Sequence, residues 1–168
     1  MSIGTSSTVT TPTPAASGAA AEARARTLTV WAGRVTAFIG AGHIAVFTVQ
    51  SWSHWGDWLT GRLHGPAAIE DPANTDSLRL FWSLPGSFAV PLILLGLLLA
   101  RMARTGQEVP RYVTWTLAAW ILLGGWILEP SGFPLGLVPI TLLLLAHRAH
   151  RTDPSKPHRD RDRKRGGN

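Results

Sequence analysis

The sequence predicts an all-α membrane protein, a transmembrane four-helix bundle with a disordered N-terminal leader and a basic, disordered C-terminal tail. Three observations support this fold class. Apolar residues concentrate in the middle of the 168-residue chain, although the mean hydropathy is only +0.12. Lys and Arg are distributed unevenly among the segments that join the apolar runs, and most of the eight Trp residues lie where those runs end.

Four apolar runs are candidates for membrane-spanning helices, because a helix needs about 20 apolar residues to cross a bilayer, with a range of about 17–25. The spans are predicted near residues 30–50, 79–100, 112–129 and 132–147. The first two have full length. The last two are shorter and meet at Glu129 and Pro130.

The two ends of the chain are polar and flank a predicted membrane domain at residues 28–148. The leader, residues 1–27, is rich in Ser, Thr, Ala and Pro without apolar periodicity, which is typical of disorder. The tail, residues 149–168, is too charged to fold and is expected to contact anionic lipid headgroups, with about 1 kcal/mol for each basic residue near the surface. Nucleic-acid binding is not expected, because the basic residues lack a binding fold or interleaved aromatic residues.

The basic residues also predict the orientation of the chain. Of the 16 Lys and Arg residues, 14 belong to the N-terminal segment, the 101–111 loop and the tail, whereas Arg62 and Arg79 belong to the opposite side. Segments rich in Lys and Arg stay in the cytoplasm. The chain is therefore predicted to be a multi-pass protein of the cell (inner) membrane with both termini cytoplasmic. Trp residues at both ends of the apolar runs support the prediction that these runs cross the membrane, because indole rings favour the headgroup region.

Small residues and prolines predict how the first two spans pack. In the first span, small residues recur at intervals of four, which predicts a face that a neighbouring helix approaches closely: Gly33, Ala37, Ala41 and Ala45. In the second span, Pro85-Gly86 and Pro91 predict a kink. Between these spans, residues 51–63 carry Trp and Leu at helical spacing, which predicts a short helix on the outer membrane face followed by a polar loop.

Ionisable side chains within the spans are the candidate functional residues, because such groups are costly in a bilayer. His43 lies about 10 Å below the outer end of the first span. It needs either a carbonyl or hydroxyl partner on a neighbouring helix, or a role as a proton or ligand site. Glu129 is expected to cap the amide groups that open the fourth span. Its alternatives are an ion pair with Arg79 or Arg62, or a hydrogen bond to His43 or His54. The candidate polar site is His43, Glu129 and Arg79.

Other chemistry has little support in the residues. Arg34 lies near the inner end of the first span, and its long side chain can reach the headgroups. The chain has six His and no Cys, so thiolate chemistry is absent, and no two His residues are placed at one depth as an axial haem pair requires. No metal-ligand spacing occurs. We therefore expect no cofactor, no metal site and no enzymatic activity.

Four apolar motifs resemble those of a family of small, uncharacterised bacterial membrane proteins. The motifs are WAGRVTAFIGAGHIAVF, FWSLPGSFAVPLILLGLL, VPRYVTWTLAAW and EPSGFPLGLVPITLLLL, and they extend over about residues 28–147. The resemblance implies a fold with four spans, a Gly-x-x-His in the first span and a Pro-Ser-Gly-Phe turn before the last. It implies no reaction.

The expected function is a non-enzymatic accessory or interaction component of the membrane, acting with a membrane protein partner or as a homo-oligomer. The alternative is a small transporter or ligand-binding membrane protein that uses His43 and Glu129.

Overall fold

The computed structural model describes residues 14–84, 86–128 and 131–151, and within these ranges the chain is helical without β-strands. The predicted all-α class is confirmed. Seven α-helices follow one another: α1 (Pro14–Gln50), α2 (Trp55–Leu59), α3 (Pro66–Glu70), α4 (Thr75–Ser83), α5 (Ala89–Arg104), α6 (Arg111–Ile127) and α7 (Leu137–Arg151). Short 3-10 helices occupy Trp52–His54, Pro72–Asn74 and Phe133–Gly136.

Helix α1 is 37 residues long and begins well before the predicted start of the membrane domain. Residues 14–27, predicted to belong to a disordered leader, instead form its first turns; residues 1–13 lie outside the described residues. The segment is rich in alanine, the strongest helix former, and the composition argument wrongly counted alanine towards disorder. Glu22 and Arg26 add an ion pair one turn apart at 3.9 Å, and Ala25 is fully buried.

At the other end of the chain, α7 extends to Arg151, so the first residues of the predicted tail continue the helix. Residues 152–168, which hold the rest of that tail, lie outside the described residues.

The second predicted span, residues 79–100, is interrupted. Helix α4 ends at Ser83 and α5 begins at Ala89, so the kink predicted at Pro85-Gly86 is a complete break in the helix. Pro91 does not add a second kink, because it lies in the first turn of α5, where the missing amide hydrogen would have no helical partner.

Helix α1 packs between α5 and α7, and α5 runs antiparallel to it. The pairing is close because glycines face each other: a Cβ added to Gly96 would lie 2.5 Å from the Ala37 nitrogen. Further along α1, a Cβ on Gly40 would lie 2.8 Å from the Ala89 carbonyl oxygen. The two backbones are therefore in direct contact, as small residues allow between closely packed helices.

The predicted small-residue face is correct at its first two positions. Gly33 and Ala37 contact α5, but Ala41 and Ala45 are exposed, and Gly40 makes the next close contact. The reason is helical geometry. A helix turns 100° per residue, so each interval of four advances 40° around the axis, and the ladder leaves the contact face within two turns.

Helices α6 and α7 form an antiparallel hairpin. Ile121 contacts Gly136, the Phe133 ring rests on Gly124, and Ile140 is buried beside Ile121. A second cluster joins four parts of the chain at the centre of the fold: Ala32, Leu99, Val109 and Leu143. Between the two helices, Gly132 precedes the 3-10 helix Phe133–Gly136, and Pro134 lies in the first turn of that helix.

Residues 51–83 form a small subdomain at the end of α1. The predicted helix after α1 is present but short, ending at Leu59, and the predicted polar loop contains α3 and a 3-10 turn. The Trp58 indole nitrogen donates to Ser77 Oγ at 2.9 Å and ties α2 to α4. By length and composition, two helices are apolar enough to cross a membrane, Ala16–Gln50 and Phe133–Arg151. Helices α5 and α6 are shorter, with 16 and 17 residues.

Polar sites at the two ends of the helical assembly

His43 lies on α1 opposite the break between α4 and α5. Its Nε2 is 2.7 Å from the backbone carbonyl oxygen of Ser83. In a continuous helix the Ser87 amide would donate to that oxygen, but here it donates to the Leu84 carbonyl at 3.3 Å. The break thus frees the Ser83 carbonyl, and His43 supplies the missing donor. This is the carbonyl partner on a neighbouring helix that the sequence predicts as one of two possibilities for His43.

The contact defines the protonation of the ring nitrogen. A carbonyl oxygen can only accept a hydrogen bond, so Nε2 carries the proton. The Phe47 ring lies beside the imidazole, with centroids 4.5 Å apart. The imidazole is therefore held on two sides, by a carbonyl and by an aromatic ring.

Arg79, another member of the predicted polar site, does not join His43. The Arg79 guanidinium pairs with Asp76 at 3.7 Å, and its side chain is 73% exposed. Arg62 pairs with Asp57 at 3.1 Å. Glu129 lies outside the described residues, so its capping role and the alternatives for it stay predictions.

An aromatic cluster covers the same end of the fold. Trp58 contacts Trp55 at 5.7 Å and meets the edge of Phe81 at 5.9 Å between ring centroids. The Trp55 indole nitrogen is buried and has no hydrogen-bond partner within the described ranges. These rings join α2 to α4 within the subdomain and add apolar contact area to the hydrogen bond of Trp58.

A second polar site, which the sequence analysis did not predict, occupies the opposite end. His147 Nε2 of α7 is 3.0 Å from Thr114 Oγ1 of α6, and Thr114 is fully buried. One turn further along α7, His150 Nδ1 lies 3.7 Å from the Glu108 carboxylate, a contact that is an ion pair only when the imidazole is protonated.

These groups border a shallow cavity where α1, the loop before α6 and α7 meet. Its wall includes the Glu22–Arg26 pair of α1, Glu108, and both histidines of α7. The cavity combines two carboxylates with one arginine and two imidazoles. In the part of the chain that the structure describes, no group of His, Asp and Glu side chains is arranged to hold a metal ion.

A signal for the Thr114–His147 contact was present in the sequence. An antiparallel hairpin that turns near Pro130 pairs residues at equal distances from the turn. Thr114 and His147 are equidistant from it, as are Ile121 and Ile140, which pack together. The contact therefore depends on the register of the hairpin and not on the residues next to either side chain.

A family model matches residues 27–150 of the chain. The chain belongs to a family of unknown function (DUF6463). The resemblance inferred from the sequence, to a family with no known function, agrees with this match. No curated protein and no solved structure matches the chain.

Membership of DUF6463 does not indicate which activity the chain has, because the function of the family is unknown. The region matched to DUF6463 includes His43, Arg79 and Glu129, together with the Thr114–His147 pair. Glu22 and Arg26 precede the matched region, so two of the residues that line the cavity of this DUF6463 chain lie outside the family region.

In the described part of this DUF6463 chain, basic and acidic residues are distributed unevenly between the two ends of the fold. Eight exposed arginines belong to the end that holds the cavity: Arg24, Arg26, Arg34, Arg101, Arg104, Arg111, Arg148 and Arg151. The same end holds the two carboxylates Glu22 and Glu108. The opposite end carries Arg62 and Arg79 among four carboxylates: Asp57, Glu70, Asp71 and Asp76. The fold therefore gathers the basic residues at one end and the excess of acidic residues at the other.

Proposed function

We propose that the chain is an integral membrane protein that crosses the bilayer four times and acts as a non-enzymatic accessory or interaction component. The crossing segments are α1, α5, α6 and the segment of α7 with its preceding 3-10 helix. In this arrangement both termini lie on the cytoplasmic side of the cell membrane, and residues 51–83 lie on the outer side.

One observation carries the proposal: the shorter helices α5 and α6 expose large apolar side chains along their length. On α5 these are Val90, Leu94, Leu97 and Leu98, and on α6 they are Tyr112, Trp115, Leu122, Leu123, Trp126 and Ile127. Soluble monomers rarely expose contiguous apolar patches of more than a few hundred Å². Lipid chains provide a solvent that accepts these side chains without cost.

Length is compatible with this placement. Helix α6 has 17 residues, and at 1.5 Å per residue it extends about 25 Å, slightly less than the hydrocarbon core of about 30 Å. Short spans are accommodated by local thinning of the bilayer and by flanking aromatic and basic residues. Arg111 and Tyr112 begin α6, and Trp126 lies near its end, as such an adjustment requires.

The charge division supports the proposed orientation. Arginine-rich segments are retained in the cytoplasm, and the end with eight exposed arginines also holds both ends of the described chain. The tail beyond Arg151 would then contact anionic headgroups of the inner leaflet, as its composition predicts.

The contacts of the polar groups favour an interaction role over chemistry. His43 bonds a backbone carbonyl, His147 bonds a threonine hydroxyl, and His150 faces a carboxylate. Each contact links two segments of the fold. The partner would be another membrane protein or a second copy of the chain. The alternative, a transporter or ligand site using His43 and Glu129, would require His43 to release the Ser83 carbonyl.

Single introduced cysteines test the number of spans. The chain has no native cysteine, so each introduced thiol is the sole target of a membrane-impermeant maleimide. Ala67→Cys, Gln107→Cys and Gly132→Cys all alter exposed positions. With four spans, residues 67 and 132 are labelled from outside the cell and residue 107 only after permeabilisation. With two spans, α1 and α7 alone, all three are labelled from outside, and the proposal is overturned.

The accessory role has its own experiment. A photoreactive residue at the exposed position Leu123 of α6, in the native membrane, should give one defined cross-linked product, either a heterologous protein or a dimer. A diffuse set of lipid adducts, with substrate transport by the purified chain in vesicles, would instead support the alternative function.

A further inference from the structure

Two arginines follow directly after a close contact between α1 and α5. A Cβ on Gly33 would lie 2.6 Å from the Ala100 nitrogen, so these two residues face each other across the helix pair. Arg34 and Arg101 are the next residues on each helix. In two antiparallel right-handed helices, a step of one residue from a contact position turns both side chains to the same side of the pair. Arg34 and Arg101 therefore project side by side.

Burial identifies that side as the one facing away from α7. Ala32 of α1 is fully buried and packs with Leu143 of α7, whereas Arg34, two residues and 200° further around α1, is exposed. On α5, Leu94 and Leu97 are exposed at 61% and 57% and lie on the same side as Arg101 by helical register.

The two guanidinium groups have no acidic partner within the described ranges. Arg26, Arg62 and Arg79 each pair with a carboxylate, but Arg34 and Arg101 form no such pair. Arg34 instead lies 5.3 Å from the centre of the exposed Trp31 ring. Planar guanidinium groups bind phosphate oxygens through paired hydrogen bonds, and two such groups side by side can contact the same phosphate.

An apolar track continues from the arginines towards the middle of the helix pair. Phe38 of α1 is 78% exposed, and by helical register it lies on the same side of the helix pair as the exposed Leu94 and Leu97 of α5. A cationic end joined to an apolar track matches a phospholipid, whose charged phosphate and acyl chain occupy adjacent depths. Basic pockets between membrane helices on the cytoplasmic side bind anionic headgroups in this way.

We propose that the surface formed by Trp31, Arg34, Phe38, Leu97 and Arg101 binds one anionic phospholipid of the inner leaflet. The phosphodiester contacts Arg34 and Arg101, and one acyl chain lies along Phe38 and Leu97. This site rests on the proposed membrane insertion and goes beyond it, because it is distinct from the diffuse attraction of the C-terminal tail and requires the α1–α5 crossing.

Native mass spectrometry of the full chain tests the site. The purified protein is equilibrated in micelles with equal amounts of phosphatidylglycerol and phosphatidylcholine that share the same acyl chains. The native chain should retain one phosphatidylglycerol in preference to phosphatidylcholine. Arg34→Gln and Arg101→Gln should each lower the bound ratio about fivefold, which corresponds to about 1 kcal/mol per basic residue near the surface.

Two controls separate a site from general charge. Arg24→Gln and Arg151→Gln remove the same charge at the same end of the fold, away from the α1–α5 groove, and should leave the ratio unchanged. Arg34→Lys keeps the charge but loses the planar fork, and should give an intermediate ratio. Circular dichroism melting of each variant establishes that it is folded.

Equal loss in the control variants, or no preference in the native chain, would overturn the lipid site. These outcomes are distinguishable from failure of the proposed function. If alkaline extraction releases the native chain from the membrane, or if Gln107→Cys is labelled from outside, the membrane topology itself is incorrect, whatever the lipid ratio in micelles.

Discussion

His43 of α1 donates a hydrogen bond from its Nε2–H to the carbonyl oxygen of Ser83, with 2.7 Å between the two heavy atoms and 40 residues between them in the chain. The Ser83 carbonyl is free to accept this hydrogen bond because the helix breaks after Ser83. A backbone group left without a partner by the break in one helix is therefore satisfied by a side chain of another helix. Such pairing is required in an apolar environment, where an unsatisfied backbone group costs several kcal/mol.

The first prediction concerns this hydrogen bond. His43→Ala should lower the free energy of unfolding by about 1–3 kcal/mol, because it leaves the Ser83 carbonyl without a donor. His43→Gln should cost less, since its amide can still donate. Thermal unfolding in detergent measures both, with the exposed His64→Ala as the control. A His43→Ala variant as stable as that control would show that the bond contributes nothing.

The second prediction concerns the α1–α5 crossing. Gly33→Ala and Gly96→Ala should each cost at least about 1–3 kcal/mol, because the new methyl group overlaps backbone atoms that cannot move alone. Gly42→Ala is the matched control, since nothing lies within 4 Å of its added Cβ. That control should be neutral or slightly stabilising, as alanine is preferred to glycine within helices. Equal melting temperatures for all three would refute the close crossing.

The third prediction concerns the contact between Thr114 and His147. Thr114→Val keeps the shape of the side chain but removes the hydroxyl that faces His147, so we expect a loss of about 1–3 kcal/mol. Thr114→Ser should retain most of the stability. Thr116→Val, at an exposed position on the same helix, serves as the comparison in the same unfolding assay. If both valine variants melt alike, the hydroxyl contact is dispensable.

The fourth prediction concerns Glu129 at the turn before α7. If the carboxylate caps amide groups, Glu129→Gln should be mild and Glu129→Ala should cost about 0.5–2 kcal/mol. If it is a proton or ion site, both variants should be equally damaging to activity. Tryptophan fluorescence between pH 5 and 8, reported by the nearby Trp126, should show no transition that depends on Glu129. A transition abolished by Glu129→Gln would favour the transporter or ligand-site function.

The fifth prediction concerns the N-terminal segment. Removal of residues 1–13 should leave the melting temperature unchanged. Removal of residues 1–26 also deletes the buried Ala25 and the Glu22–Arg26 pair, so it should lower the melting temperature while membrane insertion continues. If the longer deletion melts like the full chain, the first turns of α1 contribute no packing energy.

The sequence predicted the helical class and a kink at Pro85-Gly86, where the structure has a complete break. Both predictions follow from local chemistry: runs of apolar residues, and a proline that cannot donate a backbone hydrogen bond. It placed Gly33 and Ala37 on a face that a neighbouring helix approaches, and the structure shows that this helix is α5. It failed at Ala41 and Ala45, since an interval of four was extended beyond the length over which it approximates the helical repeat of 3.6.

Non-local pairings were harder to predict. Ser83 offers a carbonyl only because α4 ends at that residue, and nothing in the residues around His43 indicates that this carbonyl lies beside it. The start of α1 at Pro14 was missed because the composition near the N-terminus was averaged, which concealed the alanine-rich stretch next to Glu22 and Arg26.

The central position of α1 has a consequence for the order of assembly during synthesis. Its two main partners come late in the chain, since α5 ends about 50 residues and α7 about 100 residues after α1. At about 5–20 residues per second, α1 waits roughly 3–10 s for α5 and twice that for α7. During this interval its glycines face no partner. The ribosome therefore completes the central helix α1 before either of its partners. We expect the nascent protein to pass through a stage in which α1 and α5 have paired and α7 has not yet packed against α1.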